Sequence, residues 1–186
     1  MPAILSYSCK SRKRWLLRIV AAIFLIISTM SSCRTIGMSS ADISALARAG
    51  LALGFDINKN DDHRLYLEAA RWIGVPYRTA GDTRAGADCS GLTCGIYRNA
   101  YGRKLSRNSN EQYAKDCATT VSRRSLHPGD LVFFSSTGTD KKITHVGIYL
   151  KEGKFIHSSS LRGVVVDNLD APYWSRRLVK CGRPHK

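Results

Sequence analysis

Cys89, in the run Asp88-Cys89-Ser90-Gly91-Leu92, and two downstream histidines, His145 and His157, are the residues of this chain best suited to carry out chemistry. Asp88 has a side chain that can cap a helix beginning at Cys89. A thiol in a first helical turn feels unpaired backbone N–H groups and the positive end of the helix dipole, both of which favour thiolate over thiol. With a histidine in reach, such a sulfur attacks a carbonyl carbon while the imidazole takes its proton and later returns it to a leaving amine. A second, neutral histidine suffices to orient the first through a hydrogen bond. Taken singly, each residue has an ordinary structural explanation, since a lone helical cysteine is most often a small buried hydrophobe. Together they point to a nucleophile, Cys89, with His145 as base and His157 as its orienting group.

Two kinds of element must position this trio. A helix over 89–100, closed by Gly102, puts Cys89, Leu92 or Thr93, Ile96 and Ala100 on one face, so the thiol begins an inward stripe. On a strand over 143–150, His145, Gly147 and Tyr149 share one face while Val146, Ile148 and Leu150 share the other. The next strand, 154–158, carries His157 and Phe155 together. Register decides the outcome. A two-residue Glu152-Gly153 turn sets His157 opposite Ile148 and separates the histidines. A three-residue Lys151-Glu152-Gly153 loop with Gly153 left-handed, or a bulge, sets Gly147 opposite His157. His145 is then diagonal to His157, at roughly 5 to 8 Å between backbones.

The rest of the chain supplies support. Ser39 or Ser40 caps a helix whose Ile43, Leu46, Ala49 or Gly50, and Leu53 recur at helical spacing, with Gly54 ending it. Asp62 caps a second helix over 63–73, stopped by Gly74 and Pro76. Ser109-Asn110-Glu111-Gln112 has the pattern of a capping box. From His127 onward the texture is strand-like, with strands over 130–135, 143–150, 154–158 and 163–166. Helices first and strands after predict an α+β fold with helices packed on an antiparallel sheet.

The 186 residues allow one ordinary domain plus appendages, and 44% hydrophobic content is normal for a core. Residues 1–33 stand apart. Lys10, Arg12, Lys13 and Arg14 precede an apolar run over 15–28, broken by Arg18, and Ser31 and Ser32 precede Cys33, which is the order of a secretory signal. The run is shorter than the roughly 20 residues that cross a bilayer as a helix. Met30-Ser31-Ser32-Cys33 also resembles the lipobox of bacterial lipoproteins, which implies lipidation at Cys33, a membrane lipid anchor and a catalytic domain outside the cytoplasm, in the cell envelope. The expected organisation is a signal over 1–33, a tether and helix over 34–62, and a catalytic domain over 63–186. Without the five basic residues of the leader, the formal charge of +15 falls to +10. That balance suits an anionic polymer or membrane surface, and no basic run interleaved with aromatics supports nucleic acid. The six cysteines are too irregularly spaced for a zinc site or disulfide framework, so no metal or cofactor is expected. A Cys117–Cys181 disulfide stays open, and a monomer is expected.

Six blocks of the chain, in order, resemble the NlpC/p-sixty family of papain-like cell-wall peptidases. They are Gly74-Val75-Pro76-Tyr77, Asp88-Cys89-Ser90-Gly91-Leu92, Ser109-Asn110-Glu111-Gln112, Pro128-Gly129-Asp130-Leu131-Val132-Phe133-Phe134, His145-Val146-Gly147-Ile148-Tyr149 and Phe155-Ile156-His157-Ser158-Ser159. The resemblance implies a papain-like core with a Cys89–His145–His157 triad. It also implies a role for Tyr77 beside the nucleophile in the oxyanion region, and for Asp88 and Ser90 in shaping the substrate site. The implied substrate is a peptidoglycan stem peptide, cut between D-γ-glutamyl and a diamino acid. Where members commonly carry two glycines after the tyrosine, this chain reads Arg78-Thr79-Ala80-Gly81-Asp82, a departure expected to reshape one cleft wall. The competing expectations are an amidase or acyltransferase using the same cysteine and histidine, and a non-catalytic envelope-binding lipoprotein.

Overall fold

In the computed structural model residues 39–185 are described, so the proposed leader and Cys33 lie outside the described part. Ser39 and Asp42 cap each other reciprocally at the start of α1 (Ser40–Leu53), which ends at left-handed Gly54. Leu46, Ala49, Gly50 and Leu53 are buried, but Ile43 is 56% exposed, so the inward stripe begins one turn later than the spacing predicts. Asp62 caps α2 (His63–Ala70) by accepting from the Leu65 N–H at 3.1 Å. The helix expected to reach residue 73 tightens after Ala70 into i→i−3 turns through Arg71, Trp72 and Ile73. The buried Trp72 indole then donates to Glu68 at 2.9 Å.

A short hairpin, β1 (Asp82–Thr83) and β2 (Gly86–Ala87), precedes the central helix α3 (Cys89–Tyr101). Asp88 caps α3, and the Gly91 N–H donates to its Oδ1 at 2.7 Å. Leu92, Thr93, Ile96 and Ala100 are all buried, as the stripe requires. In the short α4 (Ser109–Glu111) the cap is Asn108, one residue before the expected Ser109. Gln112, expected to reciprocate the cap, is instead buried, and its amide donates to Thr93 Oγ1 and the Ser106 carbonyl, each at 2.8 Å. A residue that reads as a local cap thus ties its loop to α3, because two buried acceptors outbid one exposed N–H.

Six antiparallel strands form the main sheet: β3 (Cys117–Val121), β4 (Leu131–Phe134), β5 (His145–Tyr149), β6 (Lys154–Ser159), β7 (Gly163–Asn168) and β8 (Leu178–Pro184), in the spatial order β3-β8-β4-β5-β6-β7. The fold is α+β, as expected, but β3 and β8 are strands the sequence reading did not anticipate. In β8, Lys180 and Arg183 interrupt the apolar pattern. Lys180 lies 4.6 Å from the centre of the Tyr113 ring, and Arg183 forks onto buried Asp130 with both contacts at 2.8 Å. One cluster of the core gathers Leu131, Phe133, Val146, Ile148 and Ile156 with Leu65, Leu92 and Ile96 of the helices. The other gathers Val132, Phe134, Phe155 and Leu169, partly covered by Trp174 of α5 (Pro172–Arg177).

The β5–β6 register places the histidines. Ile148 pairs with Ile156 and Tyr149 with Phe155, and the Leu150 N–H donates to the Lys154 carbonyl at 2.9 Å. Two left-handed residues, Glu152 (φ 54) and Gly153 (φ 76), make the turn, and Lys151 is the extra residue that bulges. This is the odd-residue register the chemistry requires, reached through a bulge. Continued one step, it brings Gly147 opposite His157. A Cβ at Gly147 would stand 2.7 Å from the Ile156 carbonyl oxygen, 2.8 Å from the Phe155 ring and 3.2 Å from His157 Cβ, so only glycine lets the strands close at this point.

Candidate active site

His145 Nε2 lies 3.0 Å from His157 Nδ1, and His157 Nε2 lies 3.0 Å from Asp167 Oδ2. The rings are held by aromatic neighbours: Trp174 stacks on His145 at 5.7 Å, Phe155 stacks on His157 at 5.0 Å, and Trp174 meets His157 edge-on at 4.7 Å. Such packing fixes ring planes that a hydrogen bond alone would leave free to rotate. Cys89, Tyr77, His145 and His157 line one cleft of about 620 Å³, together with Asp167 and Trp174. That volume is in the range that receives a small ligand or a few residues of a peptide. Cys89 is the first residue of α3, and that helix packs against β5, the strand that carries His145.

The charge state differs from the expectation that helix position alone generates thiolate. Burial pushes the Cys89 thiol above its ordinary pKa, and the pull of nearby backbone N–H groups in the other direction does not offset it. His145 is pulled down to about 3, first by burial and then by the neighbouring His157. His157, 1% exposed, is also lowered by burial despite its contact with Asp167. Asp167 is held well below the carboxylate range by hydrogen bonds from His157, Arg162 and Trp174. The resting site is therefore a neutral thiol, two neutral imidazoles and one ionised carboxylate. For this partly buried thiol, desolvation is the largest influence and outweighs the backbone N–H groups nearby.

These shifts set a pH dependence. Both histidines titrate in the folded chain below 6.5, their ordinary value. Below that pH the unfolded chain binds more protons than the folded one, so stability is lost as pH falls from about 6.5 toward the lowered folded values. Each such histidine contributes a slope of about 1.4 kcal/mol per pH unit. Asp167 acts further down: its contribution is complete above the ordinary 3.8 and is lost only as pH falls through its lower folded value. Denaturant unfolding of wild type and His145→Gln between about pH 6.5 and 4.5 should show a flatter fall for the variant, by about that single-histidine slope. Parallel curves would mean that His145 titrates normally.

Tyr77 is 39% exposed, lines the same cleft as Cys89 and bridges to Ala87. Asp88 and Ser90 are not among the residues that line it. Asp88 accepts both arms of the Arg107 fork, at 2.8 and 3.0 Å, and also the Ala80 and Gly91 N–H groups. Ser90 is buried and its hydroxyl donates to the Arg107 carbonyl at 2.9 Å. Both side chains anchor the start of α3, because the orphan N–H groups of a helix and the guanidinium compete for the same oxygens. Arg107 also donates to the Gly81 carbonyl at 2.7 Å, which fastens the unusual segment 78–82 to the nucleophile helix. The possible Cys117–Cys181 bond does not form: both thiols are free, with Cys117 opposite Pro184 and Cys181 opposite Val121.

Asp167 and Trp174 were missed by sequence reasoning. For Asp167 a signal existed. β7 pairs His157 with Val165 and Phe155 with Asp167, so carrying the alternation of the last strand past Val166 brings a carboxylate to the histidine face. Trp174 comes from a six-residue helix between β7 and β8, and nothing in its local pattern reports what it covers.

A cysteine opening a buried helix, sharing a cleft with a histidine pair on an antiparallel sheet, belongs to a papain-like α+β fold. The NlpC/P60 family model matches residues 74–183, and the chain belongs to that family. It is 38% identical over 120 residues to "Murein DD-endopeptidase MepS/Murein LD-carboxypeptidase" of Escherichia coli strain K12, covering 64% of this chain and 61% of that relative. Over 112 residues it is 38% identical to "Gamma-DL-glutamyl hydrolase" of Bacillus subtilis strain 168, covering 60% of this chain and 26% of that relative. Among solved structures, an NlpC/P60 family protein from Bacillus cereus is similar with TM-score 0.59 and 30% identity, over 69% of this chain and 42% of the other. The NlpC/p60 domain of the peptidoglycan hydrolase SagA is similar with TM-score 0.55 and 28% identity, over 68% of this chain and 98% of the other. The chain thus spans about three fifths of the length of the Escherichia coli relative.

Proposed function

We propose that this chain is a cysteine endopeptidase that hydrolyses peptidoglycan stem peptides, with Cys89 as nucleophile, His145 as proton carrier and His157 as orienting group. One observation carries the reading: the hydrogen-bonded His145–His157 pair opens into the same cleft as a thiol set at the start of a helix. The name of the Escherichia coli relative, a murein peptidase, supports the substrate class, and the basic balance of the chain suits an anionic wall.

In the reaction the Cys89 sulfur attacks the scissile carbonyl carbon while its proton passes to neutral His145. The carbonyl oxygen becomes an oxyanion, and the roles assigned here to the Cys89 backbone N–H and, from the family resemblance, to the Tyr77 hydroxyl are to receive it. Collapse breaks the C–N bond, and the imidazolium returns its proton to the leaving amine. Water then adds to the thioester, again losing a proton to His145, and the acid departs as the thiol is restored. A neutral resting pair suits this sequence, because the base must be unprotonated when the thiol attacks.

The bond assigned is D-γ-glutamyl to diamino acid, the linkage implied by the sequence resemblance and supported by the name of the Bacillus subtilis relative. A second reading, cleavage of a cross-link between D-configured residues, is favoured by the name of the Escherichia coli relative. Defined muropeptides separate the two by product mass. The first reading releases a disaccharide dipeptide from uncross-linked monomers. The second converts cross-linked dimers to monomers and leaves monomers intact. We also propose that Cys33 carries the lipid that holds the domain at the envelope membrane, and loss of palmitate labelling in Cys33→Ala checks that placement.

A further inference from the structure

We infer that Asp167 is a positioning residue that fixes the direction of the His157–His145 hydrogen bond and thereby leaves His145 Nδ1 unprotonated, the one nitrogen able to accept the Cys89 proton. This rests on the peptidase reading and goes beyond the triad it names.

The logic follows from donor and acceptor capacity. Asp167 Oδ2 receives three N–H donors: His157 Nε2 at 3.0 Å, Trp174 Nε1 at 2.9 Å and an Arg162 nitrogen at 2.5 Å. A second Arg162 nitrogen donates to Oδ1 at 3.2 Å. Tryptophan and arginine offer only donors here, so the group facing them must be a pure acceptor. His157 must then carry its proton on Nε2. Arg162 already neutralises the carboxylate, so a second positive charge on the buried His157 would find no counter-charge. His157 is therefore neutral, its Nδ1 is bare, and the 3.0 Å contact with His145 Nε2 is made by a proton on His145. Because neutral His145 has one ring proton, Nδ1 is left with its lone pair.

Without Asp167 the two directions of the histidine–histidine bond become nearly equivalent. In the reversed direction His157 Nδ1–H donates to His145 Nε2, and His145 carries its proton on Nδ1. A base so oriented cannot take a proton from a thiol. The arrangement extends the trio to Cys89–His145–His157–Asp167, with Trp174 both stacking on His145 and steering the carboxylate.

Multiple-bond proton–nitrogen correlation spectra of the full chain labelled at histidine read the tautomers directly. In wild type, His145 and His157 should both appear as Nε2–H tautomers. Asp167→Ala should give a mixture at His157 and an Nδ1–H population at His145. Its kcat for a muropeptide should fall about 10- to 100-fold while KM stays within about twofold. Asp167→Asn should recover most of the loss, because Trp174 and Arg162 force its amide oxygen toward His157 and so keep the same direction. Loss of fold alone would move KM and the unfolding temperature and would not be rescued by asparagine through a tautomer. The inference is overturned if wild-type His145 carries its proton on Nδ1, or if Asp167→Ala keeps both tautomers and a kcat within twofold. Should Asp167→Ala not fold, the wild-type and asparagine tautomers still decide. If wild type shows no thiol-dependent hydrolysis, the peptidase reading fails, while the spectra still judge Asp167.

Discussion

Cys89→Ala should reduce muropeptide hydrolysis to the rate without enzyme, a loss of at least about 10⁴-fold in kcat/KM. The substitution removes one sulfur and little else. The Asp88 cap, the Arg107 fork onto it and the buried stripe of α3 involve other atoms. The variant should therefore unfold close to the wild-type temperature and still bind substrate. Loss of products with binding retained is the signature of a missing nucleophile. Unchanged hydrolysis would remove the peptidase account, and binding by both proteins without any thiol-dependent product would favour an envelope-binding lipoprotein.

His145→Gln should cost about 10³-fold in kcat at neutral pH, because glutamine can keep a hydrogen bond to His157 but cannot carry a proton. The raised thiol makes a second part of this prediction. With the proton carrier gone, attack depends on the small fraction of thiolate, and burial keeps that fraction below the level of a free cysteine at the same pH. Alkylation of Cys89 in this variant should be slow at pH 7 and rise about tenfold per pH unit until the thiol ionises. Wild type should alkylate faster at neutral pH and with a shallower dependence. Equal rates for the two at pH 7 would show that the thiolate forms without His145.

The site was legible where local rules coincide with the fold. Asp88, Cys89 and Gly102 mark both ends of a helix by capping chemistry alone, and the alternation around His145 and His157 fixes their faces once the turn between Leu150 and Lys154 is known. The turn itself was readable only as a condition, because a bulge at Lys151 and a third loop residue give the same register. Long-range compensation was not legible. β8 escaped notice because the partners that make its Lys180 and Arg183 acceptable, Tyr113 and Asp130, lie far away in sequence. The resemblance gives Asp88 and Ser90 a part in shaping the substrate site, and what the sequence did not report is Arg107, 19 and 17 residues later, which engages both. The thiolate expectation erred for a related reason: the helix terminus can be read from the sequence, whereas the burial that outweighs it is a property of the assembled site.

The most direct measurement is rapid acid quench of wild-type protein during turnover of a defined muropeptide, followed by peptide mapping by mass spectrometry. The account predicts an acyl adduct, bound as a thioester, on the peptide containing Cys89, with the mass of the substrate fragment on the carbonyl side of the cut bond. Steady hydrolysis with no adduct at Cys89, or with an adduct on another residue, would contradict it.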